Sequence, residues 1–207
     1  YVSQIVSIRS TNGPGYERIN KITVCMKQVI LETPRLLLRE MDISDMDSLR
    51  MILQDEKVMY AYNGAFDERE TVMWMQKQLQ RYKDFGFGLW AVVLKESGEM
   101  IGQCGITMQE YNDMMIPEVG YLLAYKHWHK GYAIEAAMAC RDYGFSTFHF
   151  DAIYSIIRDN NIASQKVAIR NGMIPIGSVV KHYRGEEMPH KVYRINASRF
   201  LDNKTVQ

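Results

Sequence analysis

Four places in the chain carry residues whose types and spacing can do chemistry. The first is "HWHKGYAIEAA", His127 to Ala137, where Lys130-Gly131 stands before an alanine-rich helical stretch. The opening N–H groups of a helix have no partners inside it, and with the positive end of the helix dipole they make a ready phosphate site. Gly131 lets a ligand approach the backbone closely, Ala133 is small for the same reason, and Lys130 adds a formal charge. An ordinary turn glycine ahead of a helix fits these residues equally well. The pattern is neither G-x-x-x-x-G-K-[ST] nor G-x-G-x-x-G, so it is not a nucleotide-hydrolase or dinucleotide loop.

Glu118 is the second place, a carboxylate at the start of the strand that feeds this loop; it reads as a base or as a solvated strand-end charge. Asn161 and Ser164 are the third, spaced N-x-x-S as a helix cap and its first-turn partner. The fourth is sulfur and imidazole. Cys104 lies in a strand, where cysteine is usually buried core, and no feature ties a histidine to it. His127 and His129 sit at i, i+2 with no third ligand at useful spacing, so no metal is expected and both histidines read as surface or cofactor-side groups.

These residues need elements to position them. "VILETPRLLLREM" reads as one strand interrupted at Thr33-Pro34, with Pro34 near an edge. Met46, Leu49, Ile52 and Leu53 recur at helical spacing behind Asp and Ser caps. A second helix carries Val72, Met75, Leu79 and Tyr82 on one face and ends at Gly86-Phe87-Gly88. "LWAVVLK" and "MIGQCGITM" form a hairpin around "ESGE"; "IPEVGYLLAY" follows the loop "QEYNDMM". The helix from about Gly131 to Phe148, the strand "AIYSIIR" and the helix "NNIASQKVAIRNG" come next, and a hairpin around "RGEEMPH" closes the pattern. The order β-α-α-β-β-β-α-β-α-β-β predicts an α+β fold with a mixed sheet covered by helices.

Composition limits what such a fold serves. The 207 residues suffice for one domain with a sizeable core. A formal net charge of +1 gives no global field for nucleic acid or an anionic membrane, and no run of 18 apolar residues spans one. Three cysteines, Cys25, Cys104 and Cys140, without C-x-x-C spacing argue against a zinc ribbon or a disulfide framework and suit a reduced, cytoplasmic setting. Clear patterning begins at Met26. Residues 1–25, with "STNGPG" as loop, are therefore expected to be an extension, disordered or not native to the domain; 26–199 form the domain and 200–207 a tail.

Taken together, "EVGYLLAYKHWHKGYAIEAA", "IRDNNIASQKVAIRNGM" and "TPRLLLREMDISDMDSL" resemble the GNAT superfamily of acetyl-CoA-dependent N-acetyltransferases. The first resembles its pyrophosphate motif [QR]-x-x-G-x-[GA], with Trp128 at the [QR] place; a Trp-Gly-Lys-Gly-Tyr-Ala form is typical of the ribosomal-protein N-terminal acetyltransferase-like branch. The likeness spans about Lys27 to Ile195. It implies a splayed sheet in which the strand of Val119 to Ala124 parts from that of Ala152 to Arg158, with acetyl-CoA as co-substrate in the gap. By the same likeness, backbone groups of Leu122, Leu123 and Ala124 pair with pantetheine. His129, Lys130, Gly131, Tyr132, Ala133 and Ile134 cradle the pyrophosphate, and Asn161, with Ser164 beside it, meets the pantetheine amides.

An alkylamine with pKa about 10 must lose a proton before it attacks, and by the same likeness, in which similar positions often carry a glutamate, Glu118 becomes the leading base. Tyr60, Tyr62 and Trp90 lie where the family builds its acceptor wall, although core packing explains them equally well. One departure is plain: Ala168 stands where many members carry the tyrosine that protonates the departing thiolate, leaving Tyr125, Tyr132 or water. The expected function is acetyl transfer to a primary amine, of a protein N-terminus or a small molecule, by an enzyme that is often dimeric in this family. The alternative is a non-catalytic acyl-CoA-binding sensor.

Overall fold

A computed structural model describes the backbone of residues 3–9 and 19–25, and backbone and side chains of residues 28–198. The "STNGPG" loop, Met26 and the tail 200–207 lie outside the described residues. The extension contains β1 (Ser3–Arg9) and β2 (Ile19–Cys25), which pair antiparallel with each other as a separate two-stranded sheet.

The main sheet has eight strands in the order β3-β4-β5-β6-β7-β8-β10-β9. What reads in sequence as one opening strand is two, β3 (Val29–Glu32) and β4 (Leu36–Arg39), folded into a hairpin. Pro34 has no N–H to give a ladder, so the chain turns there. Thr33 N donates to Leu36 O at 3.0 Å, and Leu36 N to the Thr33 hydroxyl at 3.0 Å. Helix α1 (Met46–Leu53) buries all four apolar residues its spacing predicts; a single turn, α2 (Glu56–Met59), follows. In α3 (Glu68–Phe85), an Asp67–Glu70 capping box starts the helix and left-handed Gly86 (φ 73°) ends it. Its buried face is more polar than the predicted stripe, because Thr71 and Gln78 join Met75 there. Gln78 Oε1 accepts from Leu89 N at 3.2 Å, and the Tyr82 hydroxyl donates to Leu89 O, tying α3 to the sheet.

Strands β5 (Leu89–Leu94), β6 (Met100–Tyr111) and β7 (Met114–Leu123) form an antiparallel meander. The predicted loop "QEYNDMM" is mostly strand; only Asn112 and Asp113, both at positive φ (50° and 59°), make the turn. "RGEEMPH" shrinks likewise to Arg184-Gly185, joining β9 (Ile174–Tyr183) to β10 (Glu186–Asn196). Gly105 is where β6 passes closest to the chain ahead of β5: a Cβ there would lie 1.9 Å from Gly88 O. Helix α4 (Tyr132–Ser146), β8 (Ala152–Arg158) and α5 (Ile162–Arg170) complete the domain.

The helices divide between the two faces. Ala136, Ala137 and Cys140 of α4 and Ala168 of α5 join Trp90, Ile106, Val119 and Ile153 in the larger core. Leu49, Ile52, Leu53 and Met75 of α1 and α3 cover Leu89, Ala91 and Val93 on the other face. A buried Leu or Ile of this kind contributes about 1.5–3 kcal/mol, so both layers hold the sheet firmly. Toward β8, β10 and β9 this second face has only a small cluster, Ile116, Ile156 and Val192.

Candidate active site

Every neighbouring pair in the main sheet is antiparallel except β7 with β8. These two run parallel and meet through a single Cα partnership, Glu118 with Tyr154. Two side chains then continue the contact where the backbone ladder stops. Ile156 N donates to Glu118 Oε1 at 2.8 Å, and the Ser155 hydroxyl donates to Val119 O at 2.8 Å. Beyond them the strands part.

Which backbone groups face this gap follows from the β6–β7 register. Leu122 is paired with Gln103, and Ala124 N donates to Ile101 O at 2.9 Å, so Leu122 and Ala124 turn their amides toward β6. The alternate residues, Tyr121 and Leu123, turn theirs toward the gap. Of the three residues expected to meet pantetheine through their backbone, the geometry therefore leaves Leu123 and adds Tyr121. Leu123 O already accepts from Trp128 Nε1 at 2.8 Å, which leaves its N–H as the outward group.

The gap leads to the loop before α4. No side chain caps this helix, and Gly131 (φ 81°) and His129 (φ 59°) are both left-handed. His129 thus takes, at some strain, a conformation that glycine adopts freely, at the place where the related Trp-Gly-Lys-Gly-Tyr-Ala form has glycine. His129 and Lys130 are exposed, while Tyr132, Ala133 and Ile134 are half-buried on the first turn. A clamp from the β3–β4 hairpin holds the loop. Arg35 donates through Nη1 to Lys130 O at 2.9 Å and through Nε to Glu135 Oε2 at 2.6 Å, and its guanidinium lies 4.5 Å from the Tyr132 ring centroid. Thr33 donates to the same carboxylate at 2.6 Å. Burial works to raise the Glu135 pKa, but Thr33 and Arg35 together hold it below the usual value. Sequence reasoning missed this clamp. "TPR" was visible, but nothing links it to a glutamate a hundred residues later.

Asn161 caps α5, its Oδ1 accepting from Ser164 N at 3.0 Å. Its Nδ2 makes no hydrogen bond among the described residues. Tyr121, which the sequence did not single out, donates its hydroxyl to Ser164 O at 2.9 Å, one helical turn before Ala168. Burial holds the Tyr121 phenol well above its ordinary pKa. Ala168 itself is buried in the core with no proton to give. Tyr125 is half exposed beneath Lys57, and Tyr132 is covered by Arg35.

Glu118 lies on the other face of β7, between Gly120 and Ile116, half-buried at its surface but deep among surrounding atoms. Desolvation raises its pKa above the ordinary carboxylate value, against the opposing pull of Lys181, the Ile156 N–H and Arg81. Tyr62 belongs to the same surroundings: burial first, then the charge of Glu118, pushes its phenol up. Its ring packs edge-on to Phe66 and Trp74. Tyr60 is edge-on to Trp128 and offers its carbonyl to Arg158 Nη1 at 2.8 Å.

Trp90 does not join them. It is fully buried in the larger core against Tyr143, on the α4 side of the sheet. Both faces of β5 are buried, so the strand pattern gave no means of choosing its side. His127, expected at the surface or on the cofactor side, is not at the surface: it is buried, with Glu99 Oε1 at 3.5 Å from its Nε2. Cys104 and Cys140 are buried free thiols with sulfurs 3.6 Å apart. Among the described residues no group of three His, Cys, Asp or Glu could hold a metal, and no helix is long and apolar enough to cross a membrane.

A family profile described as "Acetyltransferase (GNAT) domain" matches residues 35–174. The chain belongs to the GNAT family of acetyltransferases. It is similar to the uncharacterized protein YkkB of Bacillus subtilis (strain 168), 40% identical over 144 residues, 69% of this chain and 84% of that protein. It is also similar to the uncharacterized N-acetyltransferase p20 of Bacillus licheniformis, 30% identical over 141 residues, 66% of this chain and 78% of that one. The crystal structure of an acetyltransferase from Agrobacterium tumefaciens str. C58 superposes with a TM-score of 0.68 at 30% identity, covering 86% of this chain and 99% of that chain. RimL, a ribosomal L7/L12 alpha-N-protein acetyltransferase solved with coenzyme A, shares the fold at a TM-score of 0.67 and 17% identity, covering 82% of this chain and 98% of its own.

The protein is accordingly an N-acetyltransferase that uses acetyl-CoA. Its own residues fit that co-substrate: an uncapped helix start behind Gly131, and a gap lined by outward amides.

Proposed function

We propose that the protein acetylates a primary amine, of a protein N-terminus or a small molecule, by direct attack, with Glu118 as the base. The observation that carries this is the position of Glu118 at the point where β7 and β8 part, with its pKa raised by burial. A raised pKa makes the carboxylate a better proton acceptor, and the Ile156 N–H holds one of its oxygens in place. Acetyl-CoA supplies a thioester carbonyl activated toward attack. Leu123 N–H is the donor for the negative charge that grows on that carbonyl. With Ala168 unable to give a proton and the Tyr121 hydroxyl committed to Ser164 O, water protonates the departing thiolate. Asn161 Nδ2 and the loop His129 to Ile134 hold the rest of the co-substrate.

Glu118→Gln tests the base role cleanly, because the amide still accepts from Ile156 N. Turnover is expected to fall about 10²–10⁴-fold with CoA affinity retained. The deficit should shrink as pH rises, since solvent then supplies free amine. In the wild type, activity should grow as pH rises through the Glu118 pKa, which lies above the ordinary carboxylate value, and grow further as the amine deprotonates. Single-turnover acetyl transfer across pH is the measurement, because product release can mask chemistry. Turnover within about twofold of wild type at every pH would remove Glu118 from the mechanism. CoA binding without thiol release from any amine would instead favour a sensor.

A further inference from the structure

The surroundings of Glu118 are more basic than one catalytic carboxylate requires. Arg158 and His190 are Cα partners across β8 and β10, and His190 is the partner of Val179 on β9. Side chains alternate along a strand, so Lys181 shares the face of Val179, and Arg158 shares the face of Ile156 and Tyr154. Tyr154 is the Cα partner of Glu118, which puts Glu118, Arg158, His190 and Lys181 on one sheet face.

Helix α3 borders that face with Lys77 and Arg81, one turn apart on the same side of the helix. The β9–β10 turn arches over to α3, where Arg184 pairs with Glu70 and donates to the carbonyls of Asn63 and Ala65. That contact closes the surface into a bowl. Around the bowl stand four cations, Lys77, Arg81, Arg158 and Lys181, with Glu118 among them and Glu186 on the same face of β10 out at the turn. Among the described residues none of the four takes part in an ion pair: Arg81 bonds the Gln78 amide and Arg158 a carbonyl. The whole chain carries a formal net charge of only +1, so this excess is local.

The groups feel one another. Burial, then Arg81 and Lys181, holds the Lys77 ammonium below its ordinary pKa. Burial is also the main cause lowering the His190 imidazole; Lys181 and Arg158 add to it, against the Met188 carbonyl and Asp159. Like charges are gathered here in excess of the carboxylate they surround and without a direct ion pair, an arrangement that costs free energy unless a ligand answers it.

We infer that the acceptor is a small amine carrying its own carboxylate or phosphate, which Lys181, Arg81 and Arg158 receive while Glu118 faces the amine. The inference rests on the acetyl-transfer reading above and narrows its acceptor. A purely cationic amine gains nothing in this bowl. An anionic group a few bonds away neutralises the surplus, and the remaining positive field favours the neutral, attacking form of the amine.

The test uses matched amines that differ only in the anion: phenylalanine against phenethylamine, O-phosphoethanolamine against ethanolamine, and, as a third arm, a tetrapeptide amide with a free N-terminus and uncharged side chains. With acetyl-CoA saturating, kcat/KM for the anionic member should exceed its partner by at least about tenfold. Comparing the two pairs tells carboxylate from phosphate. Lys181→Met, or Arg81→Met should the first not fold, should erase most of this preference while CoA affinity holds. Equal rates within each pair, or a preference for the tetrapeptide amide, would overturn the inference. Calorimetry of N-acetylphenylalanine against N-acetylphenethylamine on the CoA-loaded protein gives the same comparison without turnover. An anion preference there, with no amine acetylated, would sink the acetyl-transfer reading and leave the anion site standing. No preference in either assay would end the anion site.

Discussion

Around Gly131 the groups proposed to meet the co-substrate are backbone amides of a few consecutive residues, whereas those proposed to meet the acceptor around Glu118 are side chains brought together from α3, β7, β8, β9 and β10. The first arrangement suits a ligand that never changes. A diphosphate needs N–H groups and a helix dipole, and a short local sequence is enough to shape them. The second suits a ligand that differs between relatives, because each side chain can be exchanged without moving the sheet. A site made of main chain should therefore fail through shape, and a site made of side chains through charge.

Gly131→Glu is the largest expected break on the cofactor side. Gly131 sits at φ 81°, and a Cβ there would already approach Arg35 Nη2 to 3.3 Å. A carboxylate would add strain and repel the diphosphate, so CoA affinity should fall at least about a hundredfold, or ~2.8 kcal/mol, in a folded protein. Unchanged affinity by calorimetry would dismantle the cofactor assignment. Arg35→Leu should act more gently, because it loosens the loop without blocking it. About a tenfold weaker CoA affinity with near-normal kcat is expected; the Arg35 side chain is 48% exposed, so the effect on stability should be small. A fall in kcat at unchanged KM for acetyl-CoA would argue against positioning.

His129→Gly should do less still. The backbone is already left-handed there, so CoA affinity should stay within about twofold. A tenfold change would mean that the imidazole itself meets the ligand. Starting the chain at residue 26 should disturb neither side. Strands β1 and β2 pair with each other and stand outside the eight-stranded sheet, so we propose that 26–199 folds alone. A large loss of thermal stability on that truncation would make the extension part of the domain.

The same contrast explains what could be read from sequence. Residues 127–137 could be read as the proposed cofactor loop because the chemistry is contiguous, and the order of elements followed from periodicity and turn residues. Register did not: which of Leu122, Leu123 and Ala124 faces the gap depends on pairing with β6, which alternation alone cannot set. Two-residue turns at Asn112-Asp113 and Arg184-Gly185 were hidden inside polar stretches that read as longer loops. Trp90 could be read as acceptor wall or as core because its strand is apolar on both faces, and it lies in the core. Lys77, Arg158 and Lys181 carried no sequence signal of a site, since only the fold brings them toward Glu118.

The clamp from Arg35 and Thr33 to Lys130 and Glu135 couples two parts of the chain whose opening reactions would otherwise be separate. The β3–β4 hairpin is the outer edge of the sheet, a natural place for fraying, and when it frays the phosphate loop loses its brace. Binding energy spent on the loop is then also stability lent to the hairpin, up to about 2.7 kcal/mol at a hundred times Kd. If the loop holds CoA as proposed, this edge should become quieter when CoA is bound, and peeling the edge away should release the co-substrate.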